Sequence, residues 1–164
     1  MREYIVDLLE QTLGNELLVT LIISMIPVIE LRGAIPVGIG MLGLNPWVAM
    51  LVSIFGNMIP VPFIILFIRR IFAWMRRHLP RLEGLVTRLE QRAEGKTETV
   101  NRYKLIGLAI FVAIPLPGTG AWTGALVAAM MNLRLKTAVP AIFLGVIIAG
   151  FLVMGLTVGF RAIF

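Results

Sequence analysis

Glu30 and Arg32 are the only charged residues between Glu16 and Arg69, and they stand in an otherwise apolar stretch. An ion at the centre of a membrane helix costs about 2.5–3.5 kcal/mol on insertion scales. A carboxylate and a guanidinium kept at that cost point to the binding of a proton, a cation or an anion. Pro27, Gly33 and Pro36 surround the pair, and they predict an extended break in which residues two apart share a face. Both heads would then converge on one cavity. The competing reading is a buried ion pair that only fixes a bend, and such pairs are weak stabilisers.

A second element has similar punctuation and no charge: Pro115-Leu116-Pro117-Gly118-Thr119-Gly120-Ala121-Trp122-Thr123-Gly124. Its glycines let backbone approach a ligand closely, and a half-helix starting there would aim amide donors at an anion. Close helix packing with an interfacial tryptophan accounts for the same residues equally well. Asn57 is a polar candidate on an apolar span, with bonding across helices the favoured reading and contact with substrate the other. The candidate substrate-binding or coupling set is therefore Glu30, Arg32, Gly33, Pro36 and Asn57, with Pro115, Pro117, Gly118, Thr119, Gly120, Trp122 and Thr123.

Other chemistry is set aside. The chain has no cysteine and a single histidine, His78, without clustered ligands, so no metal or other cofactor is expected. No nucleophile–base pair is present, which argues against an enzyme. Gly38-Ile39-Gly40-Met41-Leu42-Gly43 matches the dinucleotide fingerprint literally, but no strand precedes it and no acidic residue follows at the required distance.

The elements that hold these residues must be membrane helices. With 59% hydrophobic and 15% charged residues and a mean hydropathy of +0.93, the chain is too apolar to present a polar surface to water. Trp47 to Ile68 and Thr137 to Phe160 are long enough to cross hydrocarbon. Asn45-Pro46 supplies a cap and a first-turn proline for the first of them. Leu17 to Ile29 and Leu105 to Ile114 are too short, and each runs into a break followed by a second short apolar run. Short, broken, short, long thus occurs twice. A slide of 88 residues sets Ile26-Pro27 on Ile114-Pro115, and one of 89 sets Gly56 on Gly145, as in transporters built from internal repeats. Small residues four apart, Ala49, Ser53 and Asn57 on one span and Ala141, Gly145, Ala149, then Gly155 and Gly159 on the other, predict packing seams.

Charge sets the expected orientation. The net charge is +6, and residues 69–104 hold ten Lys or Arg against four Glu, so the whole excess lies in one segment. That is an orientation signal rather than a nucleic-acid site: the segment faces the cytoplasm and attracts anionic headgroups. The acidic amino terminus lies outside, is retained rather than cleaved, and Arg134 and Lys136 fall inside. If each broken segment is a hairpin that leaves on the side it entered, the two halves are inverted. If each is instead one kinked span, Glu30 and Arg32 sit mid-bilayer; hairpins are favoured because non-helical backbone at depth needs protein cover. After Pro80, Leu82, Leu85, Val86 and Leu89 predict an amphipathic helix at the membrane surface or over the cytoplasmic mouth. The expected fold is an all-α integral membrane protein of two inverted repeats, each a re-entrant helical hairpin followed by a transmembrane helix, plus a cytoplasmic amphipathic helix. It forms one domain, with repeat one at 17–68, the basic loop at 69–104 and repeat two at 105–160.

Glu30-Leu31-Arg32-Gly33-Ala34-Ile35-Pro36 and the 115–124 element resemble the two signature segments of the small multidrug export proteins, distant relatives of the DedA membrane proteins. DedA relatives have paired re-entrant hairpins and are implicated in moving polyprenyl phosphate lipids by acidic residues and arginines. This chain departs from them in lacking an arginine in its second hairpin. The resemblance implies a transporter of the cytoplasmic membrane, with lipids as partners. The leading expectation is movement of an anionic or amphipathic lipid, with Arg32 and the Gly118–Gly120 amides on its phosphate and Glu30 carrying a coupling proton. A cationic-drug exporter and a channel or structural membrane protein are the alternatives. Two spans make a thin wall around a pathway, so a homodimer or larger homo-oligomer is expected.

Overall fold

In the computed structural model, which describes residues 15–79, 83–116 and 118–163, the chain is built from α-helices, with no strand among the described residues. The helices are α1 (Glu16–Met25), α2 (Glu30–Gly40), α3 (Pro46–Met58), α4 (Pro60–His78), α5 (Glu83–Ala113), α6 (Ala121–Met130) and α7 (Leu135–Ile163). Pro46–His78 and Leu135–Ile163 are long and apolar enough to cross a membrane.

The helix starts follow local chemistry. The Asn15 side chain accepts from the Leu17 amide and that of Asn45 from the Trp47 amide, satisfying donors with no partner inside α1 and α3. Pro46 opens α3, where its missing amide costs nothing. The span read from Trp47 to Ile68 lies within Pro46–His78. It is broken at Ile59, whose amide is shared between the Phe55 and Gly56 carbonyls, because Pro60 and Pro62 cannot donate to the preceding turn. Its second part also runs on to His78, beyond the apolar limit. The basic segment read as a loop is largely helical, comprising the end of α4 and the first part of α5. α5 is continuous from the amphipathic stretch into the second short apolar arm. Val86 is fully buried while Leu85 is half exposed, so the apolar stripe is divided rather than presented as one outward face; Leu82 lies outside the described residues. His78 is exposed and stacks on Trp74.

Two compact units form. The first comprises residues up to Ile59 with those from Ile147 onward, and the second Pro60–Val146. In the first unit α1, α2 and α3 pack on one another. α1 and α2 have 10 and 11 residues, about 15 and 17 Å at 1.5 Å per residue, roughly half of a ~30 Å hydrocarbon core. Joined by the turn at 26–29, they pack on one another. Val19, Ile23, Ala34, Val37 and Leu42 form their common core. At the far end of the unit Arg161 Nη1 donates to the Ile39 carbonyl over 2.9 Å, meeting one of the last carbonyls of α2 with a cation where the helix end is negative.

In the second unit α6 packs on α4 and α5, and Arg69 bonds to Asn132 in the turn after α6. Arg76 and Glu90 form an exposed ion pair between α4 and α5.

The same close approach holds each unit together. A Cβ at Gly56 would lie 2.5 Å from the Leu21 carbonyl oxygen and 2.0 Å from Ser24 Oγ; one at Gly145 would lie 2.5 Å from the Ala109 carbonyl oxygen and 2.7 Å from Val112 Cβ. Ala109 and Val112 are Leu21 and Ser24 displaced by 88 positions, and Gly145 is Gly56 displaced by 89. The seams read from small residues hold at Ala49, Ser53, Asn57 and Gly145 but not at the end of α7. Cβ positions at Gly155 and Gly159 meet nothing within 4 Å.

Candidate functional site

The first turn of α2 differs from the sequence expectation in a way that matters for chemistry. Glu30 and Arg32 are not on extended backbone: the break falls at 26–29 and helix begins at Glu30. Glu30 is buried, with 4% of its surface exposed, whereas Arg32 is only half-buried. The carboxylate is thus the more enclosed of the two charged groups.

The backbone at this turn is strained. Val28 has φ 77 and Glu30 φ 49, a left-handed conformation that costs side chains other than glycine about 1–3 kcal/mol and clusters at functional sites. Val28 is β-branched and 95% exposed, so the turn is not held by burying it. In the second unit Gly118 and Gly120, with φ 85 and 115, take the left-handed positions of the equivalent break without a side chain to strain. Gly33 is required for packing: a Cβ there would stand 2.4 Å from Ile29 Cγ2. Pro36 lies inside α2, half-buried.

Depth follows from register. A Cβ at Gly38 would lie 3.1 Å from Ala49 Cβ and 3.2 Å from Thr20 Oγ1, which sets one level across α1, α2 and α3. The short 41–45 connection makes α2 and α3 antiparallel. Glu30 is eight residues before Gly38 and Asn57 eight after Ala49, about 12 Å along each axis in the same direction. The buried carboxylate and the Asn57 carboxamide therefore occupy one depth in the first unit.

Five buried polar or charged side chains occur among the described residues: Thr20, Ser24, Glu30, Ser53 and Asn57, all in the first unit. Thr20 and Ser24 hydroxyls donate to the carbonyls of Glu16 and Leu21 in their own helix, at 2.8 and 2.6 Å. Ser53 and Asn57, both fully buried, differ: Ser53 Oγ and both polar atoms of the Asn57 carboxamide have no hydrogen-bond partner. Each such buried group costs about 1–3 kcal/mol, and they lie one turn apart on one face of α3. The sequence marked Asn57 as a candidate and Ser53 only as a small packing residue. Their i, i+4 spacing between apolar neighbours was the available signal. Arg161 was missed altogether, because its partner lies 122 positions away.

The remaining candidates are in the second unit. Thr119 is half-buried and its hydroxyl is engaged with the carbonyls of Ile114 and Leu116, both at 2.7 Å, so it shapes the turn. Gly120 caps α6 without a side-chain bond, leaving that helix start to its own amides. Pro115, Trp122 and Thr123 are half-buried, Gly118 is exposed, and Pro117 lies outside the described residues. The structure thus divides the candidate set between the two units: Glu30, Arg32, Gly33, Pro36 and Asn57 in the first, the others in the second. The 38–43 glycine run lies on α2 and the loop after it, with no strand before it.

Comparison with known proteins agrees with the motifs. Residues 30–152 match the family model described as "Putative small multi-drug export protein". No curated protein and no solved structure matches the chain. The matched segment begins at Glu30, just after the first break, covers the second break and most of both long apolar helices, and exceeds half of the chain; the protein belongs to the small multi-drug export protein family.

Proposed function

We propose that the protein exports amphipathic cations across the cytoplasmic membrane, with Glu30 as the counter-charge in the first unit. The observation that carries this is the asymmetry of the pair. The carboxylate is enclosed at the depth of Asn57 while the arginine is half-buried, and an enclosed carboxylate in low dielectric favours a cation. The family description points the same way. The anionic-lipid reading draws on the α6 start beside Gly118 and Gly120, and on nothing charged in the second unit's break.

The proposed architecture is a pair of inverted repeats, each a re-entrant hairpin followed by a crossing helix. The glycine contacts at Gly56 and Gly145, with partners displaced by the same 88 positions, support duplication. The basic segment faces the cytoplasm and the amino terminus lies outside. The Arg69–Asn132 bond supports this orientation, because it brings the start of the basic segment to the turn preceding Arg134 and Lys136, so that these charges share one end of their unit. Exposed apolar side chains such as Phe55, Phe63, Leu66 and Phe151 suit contact with lipid or with further copies in a homo-oligomer.

Two experiments test this reading. In a chain free of native cysteine, Glu16→Cys should react with an impermeant thiol reagent outside intact cells, whereas Arg88→Cys and Lys136→Cys should react only after permeabilisation. Outside labelling at 88 reverses the orientation, and labelling at 136 but not at 88 removes the second hairpin. For function, proteoliposomes should move a fluorescent quaternary ammonium probe at rates above empty vesicles under an imposed cation gradient. Flux equal to empty vesicles, with folded protein present, overturns the exporter.

A further inference from the structure

α4 carries its exposed side chains on one face. At 3.6 residues per turn, Phe63, Leu66, Phe67, Arg70, Trp74 and Arg77 fall within an arc of about 100° around its axis. All six are exposed, the four apolar ones by 43% to 61%. Val61, Ile64, Ile65 and Phe72 occupy the opposite side and are buried, and α5 and α6 pack on this helix. The outward stripe therefore begins as hydrocarbon and from Arg70 onward becomes cationic, with an indole between two guanidinium groups.

The four arginines of α4 are used in two ways. Arg69 and Arg76, on a flank away from the stripe, are engaged inside the second unit, with Asn132 and with Glu90. Arg70 and Arg77 lie on the stripe, are exposed, and have no hydrogen-bond or ion-pair partner among the described residues. Assembly of the unit thus accounts for one pair of cations and not for the other. Trp74, between Arg70 and Arg77, is backed by the His78 ring at a centroid distance of 5.0 Å, which holds the indole on this face.

The rise from Arg70 to Arg77 is about 10 Å, comparable with a headgroup layer of about 5–8 Å on each side of the hydrocarbon. Phe63, Leu66 and Phe67 precede it on the hydrocarbon side. Water alone would leave Trp74 and the adjacent, exposed Ile71 uncovered. A two-fold contact with a second copy through this stripe would set arginine against arginine. A layer of anionic headgroups suits every member of the stripe, offering phosphate to the guanidinium groups and an interface to the indole.

We propose that Arg70, Trp74 and Arg77 form a binding site for the phosphate headgroup of an anionic phospholipid, in the leaflet that meets the basic segment. The site belongs to the second unit, Glu30 to the first, and it is independent of what the protein exports. The cytoplasmic orientation proposed above serves only to name the leaflet.

The test is the thermal midpoint of the purified full-length protein in a neutral detergent, titrated with phosphatidylglycerol or with phosphatidylcholine. Phosphatidylglycerol should raise the midpoint saturably, by roughly 5 °C or more at about 100 times its Kd, and phosphatidylcholine by less. Arg70→Gln and Arg77→Gln should each weaken phosphatidylglycerol about fivefold, and together about 25-fold. Arg69→Gln combined with Arg76→Gln removes the same charge from the flank; whatever its midpoint without lipid, it should keep the phosphatidylglycerol shift. Equal shifts by the two lipids overturn the site, as does an equal loss in the two double variants, which marks net charge alone. Inorganic phosphate that stabilises as well as the lipid also overturns it, since no membrane surface is then needed. If the chain with both Arg70→Gln and Arg77→Gln does not fold, the single variants decide, and an unchanged Kd in both overturns the site. A reversed orientation in the thiol labelling moves the site to the other leaflet without removing it.

Discussion

Glu30→Gln is expected to abolish binding and transport of a lipophilic cation, and Arg32→Gln to strengthen both. The opposite signs follow from the geometry. Glu30 is enclosed in the first unit and Arg32 stands two residues along the same helix, only half-buried, so the arginine lowers the local affinity for any cation at the carboxylate. Removing a unit charge a few ångströms away, at the effective dielectric of a protein site, is worth about 1–3 kcal/mol, or roughly 5- to 150-fold in Kd. Removing the carboxylate leaves no negative charge in the buried set of this unit. The measurement is ligand-induced stabilisation of wild type and both variants in detergent, with a quaternary ammonium compound and a polyprenyl phosphate analogue side by side. Stabilisation of wild type by the phosphate alone, lost in Arg32→Gln, would restore the anionic-lipid reading. If both variants aggregate while a conservative Arg32→Lys remains folded, the pair is a structural ion pair, as breaking such a pair leaves an uncompensated buried charge.

A different pair of substitutions should damage the fold itself. Gly56→Ala places a methyl 2.5 Å from the Leu21 carbonyl oxygen, and Gly145→Ala places one 2.5 Å from that of Ala109. Backbone cannot rotate away as a side chain can, so the helices must separate and their packed faces open. Overpacking of this type costs about 1–3 kcal/mol or more, and valine at either site should eliminate monodisperse protein. Gly155→Ala and Gly159→Ala serve as controls, since nothing lies within 4 Å of their Cβ positions and alanine is the better helix former by up to about 1 kcal/mol. They should hold or raise the thermal midpoint. Equal behaviour of Gly56→Ala and Gly155→Ala would mean that α1 and α3 do not approach as described.

Much of this arrangement was legible in the residues. Two helices able to cross a membrane follow from length and hydropathy alone, because hydrocarbon imposes a minimum apolar run. The breaks at Pro27 and Pro115 and the 88–89 offset were also visible, and Gly56 and Gly145 prove to mark the same contact in both units. These are local or repeated signals, and the chemistry of proline, glycine and apolar runs expresses itself wherever they occur.

What the tertiary structure alone decided concerns direction and enclosure. Sequence placed Glu30 and Arg32 together but on extended backbone; the break instead closes at 26–29, and the packing of the helix that follows encloses the carboxylate more fully than the guanidinium. Proline and glycine announce that a chain bends, whereas the residue at which helix resumes depends on packing between α1 and α2. The orphaned atoms of Ser53 and Asn57 could not be read either, because a small polar residue at spacing four serves a packing seam and a ligand site alike until its partners are counted. Arg161 on the Ile39 carbonyl is of the same kind: no local pattern connects residues 122 positions apart, and only the tertiary fold brings the guanidinium to the end of α2.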